Sequence, residues 1–296
     1  MKNIFPSHFH AIQNAKTSFQ TTIFFFLFLS GSPSWGCDIF ENEMTGCHFG
    51  AGLLAEKAAL NSGTSCDDII KVLTDPTVSD INNLPPSVTE FKVIGDISVE
   101  PGETLTLTNK TVKMMSPYGS IRLSVDIFNT SLHGTLVLNN TIIEGCDQMW
   151  GGIDVADHCV VQIENHSEVN DMRFGIMISE YSIYSLKNSF FLRNYQTAIA
   201  ENKNMLLLYV FTFECYGNLI DGAGLKMWNN LPQGSQAFRG FYFNEAINTS
   251  GRPIRIGLNG ENQNVFKHCG VGVLAEKSNF DFENNRFVAF NTGGLG

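Results

Sequence analysis

Residues 150–200 read WGGIDVADHCVVQIENHSEVNDMRFGIMISEYSIYSLKNSFFLRNYQTAIA, and their spacing decides the fold. Ile153, Ile176 and Ile199 stand 23 residues apart, each behind a small residue: Gly152, Gly175 and Ala198. Ile163 with Leu186, Asn165 with Asn188, and Val169 with Leu192 keep the same offset. A fixed period of this length marks a repeat architecture. Each period holds short, alternating apolar pieces rich in β-branched residues, which suit strands and are too short for a helix pair. One period reads as one coil of a parallel β-helix. The expected fold class is all-β, a right-handed parallel β-helix solenoid with a small N-terminal helical cap.

Parallel in-register strands sit about 4.8 Å apart, so equivalent positions align in columns. The period predicts one inward column of Ile153, Ile176 and Ile199. It puts Asn165 and Asn188 at equivalent bends, where Asn tolerates the left-handed conformation and amides can bond from coil to coil. Cys146, Val169, Leu192 and Cys215 fall at successive offsets of 23. That predicts an inward column with Cys146 and Cys215 about 14 Å apart, beyond the reach of a disulfide. Both thiols are expected to be buried and slow to react.

The same alternation runs upstream through Ile97–Val99, Leu105–Leu107, 121–125 and 135–138. Downstream the register blurs: residues 205–213 form an apolar strand or pair of strands, and 229–234 form a loop excursion. It returns where Gly272-Val273 matches Gly175-Ile176 and Phe282-Glu283-Asn284 matches Leu186-Lys187-Asn188, 96 residues on. That offset reads as four coils averaging 24. Leu295 then falls on the Ile199 position, so the solenoid, 77–296, is expected to continue past Gly296.

The N-terminus reads as a signal peptide, 1–36. Lys2 and Lys16 supply positive charge, 23–29 is an apolar run, and Ser34 and Gly36 are small residues flanking a cut before Cys37. The run is too short for an ordinary spanning helix, so no transmembrane span is expected after its removal. A cysteine at the new N-terminus raises a lipid-anchor reading at Cys37. Against it, the lipobox leucine is absent and Trp35 is bulky. Residues 37–76 read as the helical N-terminal cap, which a solenoid needs to cover the first coil. Phe49, Leu53, Leu54, Ala58 and Leu60 form a helical stripe stopped by Asn61-Ser62-Gly63, and Ser65 can cap a second helix through Leu73. A small separate binding module is the alternative for this segment. Residues 75–86 read as a turn-rich linker.

A net charge of −10 argues against nucleic acid or an anionic membrane as partner. Export permits disulfides. The seven cysteines, at 37, 47, 66, 146, 159, 215 and 269, include no CxxC pair, so a zinc ribbon is unsupported. Cys47 and Cys66, both in the predicted cap, are the better candidates for a bridge.

Two stretches, Ile97-Ser98-Val99-Glu100-Pro101-Gly102-Glu103-Thr104-Leu105-Thr106-Leu107 and Cys146-Asp147-Gln148-Met149-Trp150-Gly151-Gly152-Ile153-Asp154-Val155, resemble the secreted right-handed parallel β-helix (pectin-lyase-like) proteins of Bacteroidetes. Repeats of the form Asn188-Ser189-Phe190-Phe191 through Ala198-Ile199 fit the same group. The resemblance covers roughly residues 93–200 and 259–296. It implies a secreted or outer cell-surface protein, often exported through a C-terminal sorting domain that this sequence lacks.

β-Helix enzymes cut polysaccharides with a carboxylate cluster that holds calcium, or with two closely spaced carboxylates. Asp154, Asp171 and Glu180 lie near the periodic strands, but their one-period partners are Met177, Asn194 and Lys203. Register therefore assembles no acidic patch. Arg252-Pro253-Ile254-Arg255-Ile256-Gly257 and His133-Gly134 only faintly resemble pectin-hydrolase motifs. The sequons Asn165-His166-Ser167 and Asn109-Lys110-Thr111 read as turn chemistry in a bacterial source. Trp150, Tyr181, Tyr184 and Trp228 are candidates to stack on sugar rings. The sequence nominates no catalytic, cofactor or metal-binding residue. The favoured expectation is a non-catalytic surface scaffold, adhesin-like or glycan-binding, with polysaccharide as partner. The alternative is a polysaccharide lyase or glycoside hydrolase acting in the β-helix groove.

Overall fold

The computed structural model describes residues 66–201, 209–228, 234–235, 237–248 and 253–288. The signal peptide, Cys37, Cys47, the helical stripe of 49–60, Lys203, Arg252, most of the 229–234 excursion and Leu295 lie outside the described residues. The regular structure of the described chain is nearly all strand and winds through three parallel sheets in turn. Sheet A stacks nine strands, from Val72–Thr74 through Glu90–Ile94, Thr111–Met114, Ile142–Gly145, Glu168–Val169, Phe190–Leu192, Leu219–Asp221 and Asn264–Lys267 to Asn285–Phe287. Sheet B runs from Ile97–Val99 to Cys269–Glu276, and sheet C from Thr104–Thr108 to Phe280–Phe282. Every contact between coils within these sheets is parallel, so the protein is a parallel β-helix. One antiparallel hairpin, Val125–Asp126 with Asn129–His133, leaves the coil between sheets B and C.

Alternation along each strand turns every second side chain inward. Leu107, Leu138, Ile163, Leu186, Cys215, Ile256 and Phe282 form one continuous column in sheet C. Ile97, Ile121, Ile153, Ile176, Ala198, Phe241 and Val273 form another in sheet B. The pairs Ile153–Ile176 and Ile163–Leu186 thus stand where the 23-residue period puts them.

Ile199 does not. Ala198 lies beside Ile176, and Ile199 pairs with Met177 on the other face. The cause is one residue at a corner. Asn165 and His166 both adopt positive φ, 53° and 64°, whereas the next coil turns on Asn188 alone, at 48°. That coil is one residue shorter, so Glu168 pairs with Phe190 and the offset becomes 22. Val169 then lies beside Phe191, not Leu192. The predicted Cys146–Cys215 column is therefore wrong, since Cys215 belongs to sheet C beside Leu186. Phe282 does share the Leu186 column, and Asn284, with φ of 51°, repeats the Asn188 corner. Three coils separate them, not four, because the chain makes excursions between strands.

The asparagine ladder also differs from expectation. At the exposed corner Asn140 Nδ2 donates to Asn109 Oδ1 at 2.7 Å, and Asn262 Nδ2 to Asn188 Oδ1 at 2.8 Å. One step further along the chain lies a buried ladder. Asn218 Nδ2 donates to Asn264 Oδ1 at 3.1 Å and to the Leu186 carbonyl at 2.7 Å. Asn264 Nδ2 donates to Asn285 Oδ1 at 2.9 Å and to the Cys215 carbonyl at 3.0 Å. Their oxygens accept from backbone N–H groups at the bend, Asn218 Oδ1 from Ser189 N and Asn264 Oδ1 from Asn218 N, each at 3.0 Å.

The predicted cap boundary also shifts. Cys66–Asp68 forms only a 3-10 turn, and Val72–Thr74 is already the first strand of sheet A. A short helix, Val78–Asn82, falls in the predicted linker. Thr77 and Asp80 form a capping box, with Asp80 N donating to Thr77 Oγ1 and Thr77 N to Asp80 Oδ2. Val78 and Ile81 join the main core, so this helix covers its first-coil end.

Cys66 is disulfide-bonded to Cys146, 80 residues away, rather than to Cys47. Cys146 and Cys215 are not joined to each other, as expected, but of these two Cys215 alone is a buried free thiol, like Cys159 and Cys269. Burial pushes its pKa up to about 12. Peptide mapping without reduction should recover a Cys66–Cys146 crosslink, and reducing it should lower unfolding stability by roughly 2–4 kcal/mol. Asn264→Leu should cost about 1–3 kcal/mol in denaturant unfolding, because it leaves the buried backbone N–H of Asn218 without its acceptor, Asn264 Oδ1 at 3.0 Å. An unchanged midpoint would remove the ladder's structural role.

Candidate functional site

Two clusters of chemistry-bearing side chains stand out, one at the turn from sheet A to sheet B and one on the outer face of sheet B. At the turn, parallel stacking brings Glu144, Asp171 and Arg193 together from three successive coils. Arg193 Nε donates to Asp171 Oδ1 at 2.8 Å, and Arg193 Nη2 to Glu144 Oε2 at 3.0 Å. Lys113 pairs with Glu144 from the coil below. Lys226 Nζ reaches back over the turn to Asp171 Oδ2 at 3.1 Å and to the Cys146 carbonyl at 2.7 Å. Asp171 is fully buried, so these cations offset the cost of its desolvation. The sequence period aligned Asp171 with Asn194. The 22-residue coil gives it Arg193 instead, while Asn194 Oδ1 accepts from Met172 N at 2.7 Å. Two carboxylates held by three cations brace the fold rather than present a calcium or proton-transfer site. Among the described residues no group of three His, Cys, Asp or Glu side chains could hold a metal.

Burial raises the Glu144 pKa, but the Lys113 hydrogen bond and the charges of Lys113, Lys226 and Arg193 outweigh it and hold the carboxyl below its usual value. A carboxyl with a lower pKa folded than unfolded stabilises the fold above the unfolded value. The contribution is lost as pH falls through the folded value.

The outer face of sheet B carries a cleft of about 260 Å³. Its floor is the bare backbone of Gly151, Gly152 and Gly175. A Cβ on Gly152 would come within 2.3 Å of the Gly175 carbonyl oxygen, and φ there is +124°. Its walls are Tyr118 and Phe174, 67% and 42% exposed. Ser120, Arg122, Asp154 and Met177 complete it. Arg122 pairs with Asp96 at 3.1 Å, and Asp96 Oδ1 also accepts from Ser120 N at 2.8 Å. Asp154 is flanked by Arg122 and Met177, as the 23-residue register predicts for Met177. Among the described residues Asp154 is the one carboxylate lining the cleft.

Beside the cleft the aromatic rings continue as a ledge. The Arg173 guanidinium lies 4.0 Å from the Phe174 ring centre, 5.0 Å from that of Tyr118 and 5.2 Å from that of Trp228. Trp228 meets Phe174 and Tyr195 edge-on, and Tyr195 stacks on Phe238 at 5.8 Å. Successive coils supply these rings at the entry to sheet B, which is why residues far apart in sequence form one surface.

Of the four aromatics nominated from sequence, Trp150 and Tyr184 are wholly buried and cannot stack on a ligand. Trp150 Nε1 donates to the Asn170 carbonyl at 2.7 Å. Tyr181 is exposed but stacks on His158, away from the cleft, and Trp228 is in the ledge. Tyr118, Phe174 and Arg122 were missed. The aromatic–glycine pairs Tyr118-Gly119, Trp150-Gly151 and Phe174-Gly175 were the available signal.

No family model, curated protein or solved structure matches the chain. Among the described residues no helix is long and apolar enough to cross a membrane.

Glu144→Gln should lower stability at neutral pH by roughly 3 kcal/mol, because it leaves Lys113 and Arg193 short of a counter-charge. The gap between variant and parent should narrow as pH falls from the ordinary carboxylate range through the lowered folded value of Glu144. Chemical unfolding between pH 7 and pH 3 checks both points.

Proposed function

We propose that the protein is a non-catalytic glycan-binding scaffold of the secreted or cell-surface kind, and that the sheet B cleft is its binding site. The observation that carries this reading is one cleft lined by the exposed rings of Tyr118 and Phe174, a run of bare glycine backbone, and the polar groups of Ser120, Arg122 and Asp154. A sugar ring offers apolar C–H faces to aromatic rings and hydroxyls to polar groups, and this combination suits both. The bare backbone lets a flat ligand lie close against the sheet. The single lining carboxylate supports binding over cleavage, since glycoside hydrolysis ordinarily uses two. The disulfide supports an oxidising compartment outside the cytosol, in keeping with the resemblance to secreted β-helix proteins.

Titration calorimetry against a panel of neutral and acidic polysaccharide fragments tests the reading. Tyr118→Ala and Phe174→Ala are each expected to weaken binding about tenfold, or 1.4 kcal/mol. Tyr181→Ala, on a different surface, should leave binding unchanged. Absence of binding across the panel, or equal affinities for all three variants and the parent, would sink the proposal.

A further inference from the structure

Along sheet A, Val169, Phe191, Ile220 and Phe266 face the interior core. Alternation turns Phe190, Leu192, Leu219 and Val265 outward. These four form an apolar cluster separate from the interior. Although they point away from the core, Phe190, Leu192 and Leu219 are only 0%, 2% and 3% exposed. Glu168, which pairs with Phe190 from the coil below, is shut off from solvent as well. The outer face of a sheet stays dry only beneath another layer.

The disulfide indicates which stretch supplies that layer. It fixes Cys66 at the exit of the strand Ile142–Gly145. From there the chain reaches Val72 at the bottom of the sheet, three strands lower. Residues 66–71 therefore travel along the stacking direction of sheet A. Cys66 thereby stands one strand spacing below Glu168–Val169, two below Phe190–Leu192 and three below Leu219–Asp221. Residues 49–60 carry the apolar stripe Phe49, Leu53, Leu54, Ala58 and Leu60, with five residues between the stretch and Cys66. As a helix, that stretch would be about 18 Å long. From Ile142–Gly145 to Leu219–Asp221 is three strand spacings, about 14 Å. The first-coil end does not need this stretch, because Val78–Asn82 already covers the core there. Residues 202–208 join sheet B to sheet C, and 249–252 lie between two strands that pair with the same sheet C strand, so neither starts from sheet A.

We propose that the amphipathic stretch 49–60 docks lengthwise on the outer face of sheet A, over Phe190, Leu192 and Leu219, with the Cys66–Cys146 disulfide as its tether. It acts as a side strap holding successive coils together, rather than as an end cap.

Photocrosslinking in the full chain tests this. Phe190 is replaced by p-benzoylphenylalanine, the protein is irradiated, and the crosslinked peptide is sequenced by mass spectrometry. The expected partner lies within residues 49–60 of the same molecule. The same replacement at Val265, at the rim of the patch, serves if the Phe190 variant does not fold. A crosslink to 229–233 or 289–296, a crosslink between two molecules, or no crosslink from folded protein overturns the proposal. As an independent reading, Leu53→Asp combined with Leu54→Asp should speed amide hydrogen exchange in 190–192 and 219–221. Exchange in 136–138 and 161–163 should stay unchanged. Exchange equal to the parent's in the first pair of strands also overturns it.

Discussion

Parallel hydrogen bonding between successive coils is the constraint on which the rest of this structure depends. It holds each strand one spacing from the next in fixed register, so a residue's neighbours are its equivalents in the coils above and below. The interior is built of such columns, for example Leu107, Leu138, Ile163, Leu186 and Cys215 in sheet C. A column rewards apolar residues of similar volume and makes any change of phase costly, since a one-residue slip turns a strand inside out. The slip at His166 is tolerated because it happens at a corner. There an additional left-handed residue absorbs the extra length before the next strand begins.

Corners carry the polar cost of this design. A bend interrupts the strand ladder and leaves backbone groups unpaired inside the protein. Asn218, Asn264 and Asn285 answer that need with stacked amides that bond to one another, and the first two also accept from the backbone N–H groups of Ser189 and Asn218. The turn from sheet A to sheet B uses charge instead, with Arg193 linking Glu144 to Asp171 and Lys226 closing over them. Lys226 also holds the Cys146 carbonyl, so the disulfide, the ion cluster and the segment leading to Trp228 form one braced region. That region borders the aromatic ledge.

The cleft follows from the same column logic applied outward. Glycines stacked at the entry to sheet B remove side chains from successive coils and leave a furrow. Rings from the residues just before or beside them form its edges. Charged groups then line the same furrow further along the strands, because Arg122 and Asp154 are register partners in one row. No local segment contains the site; it is made of single residues contributed by separate coils.

The sequence alone determined the class of fold and the columns up to Leu186, because alternation and period are local properties that survive without knowledge of the partner. It also put Asp154 beside Met177, whereas the column from which Cys146 and Cys215 were expected not to pair does not exist, and they stay apart because they lie in different sheets. It did not reveal the phase change after His166, since an added corner residue alters register without disturbing the alternation on either side. Nor could it tell that three coils, not four, separate Leu186 from Phe282, because excursions between strands lengthen those coils without leaving a mark in the period. The disulfide partner of Cys66 and the outward faces of Tyr118 and Phe174, against the inward face of Trp150, were decided only by tertiary structure. Each depends on contacts between coils tens of residues apart, and on which side of a bend the backbone presents a given Cβ.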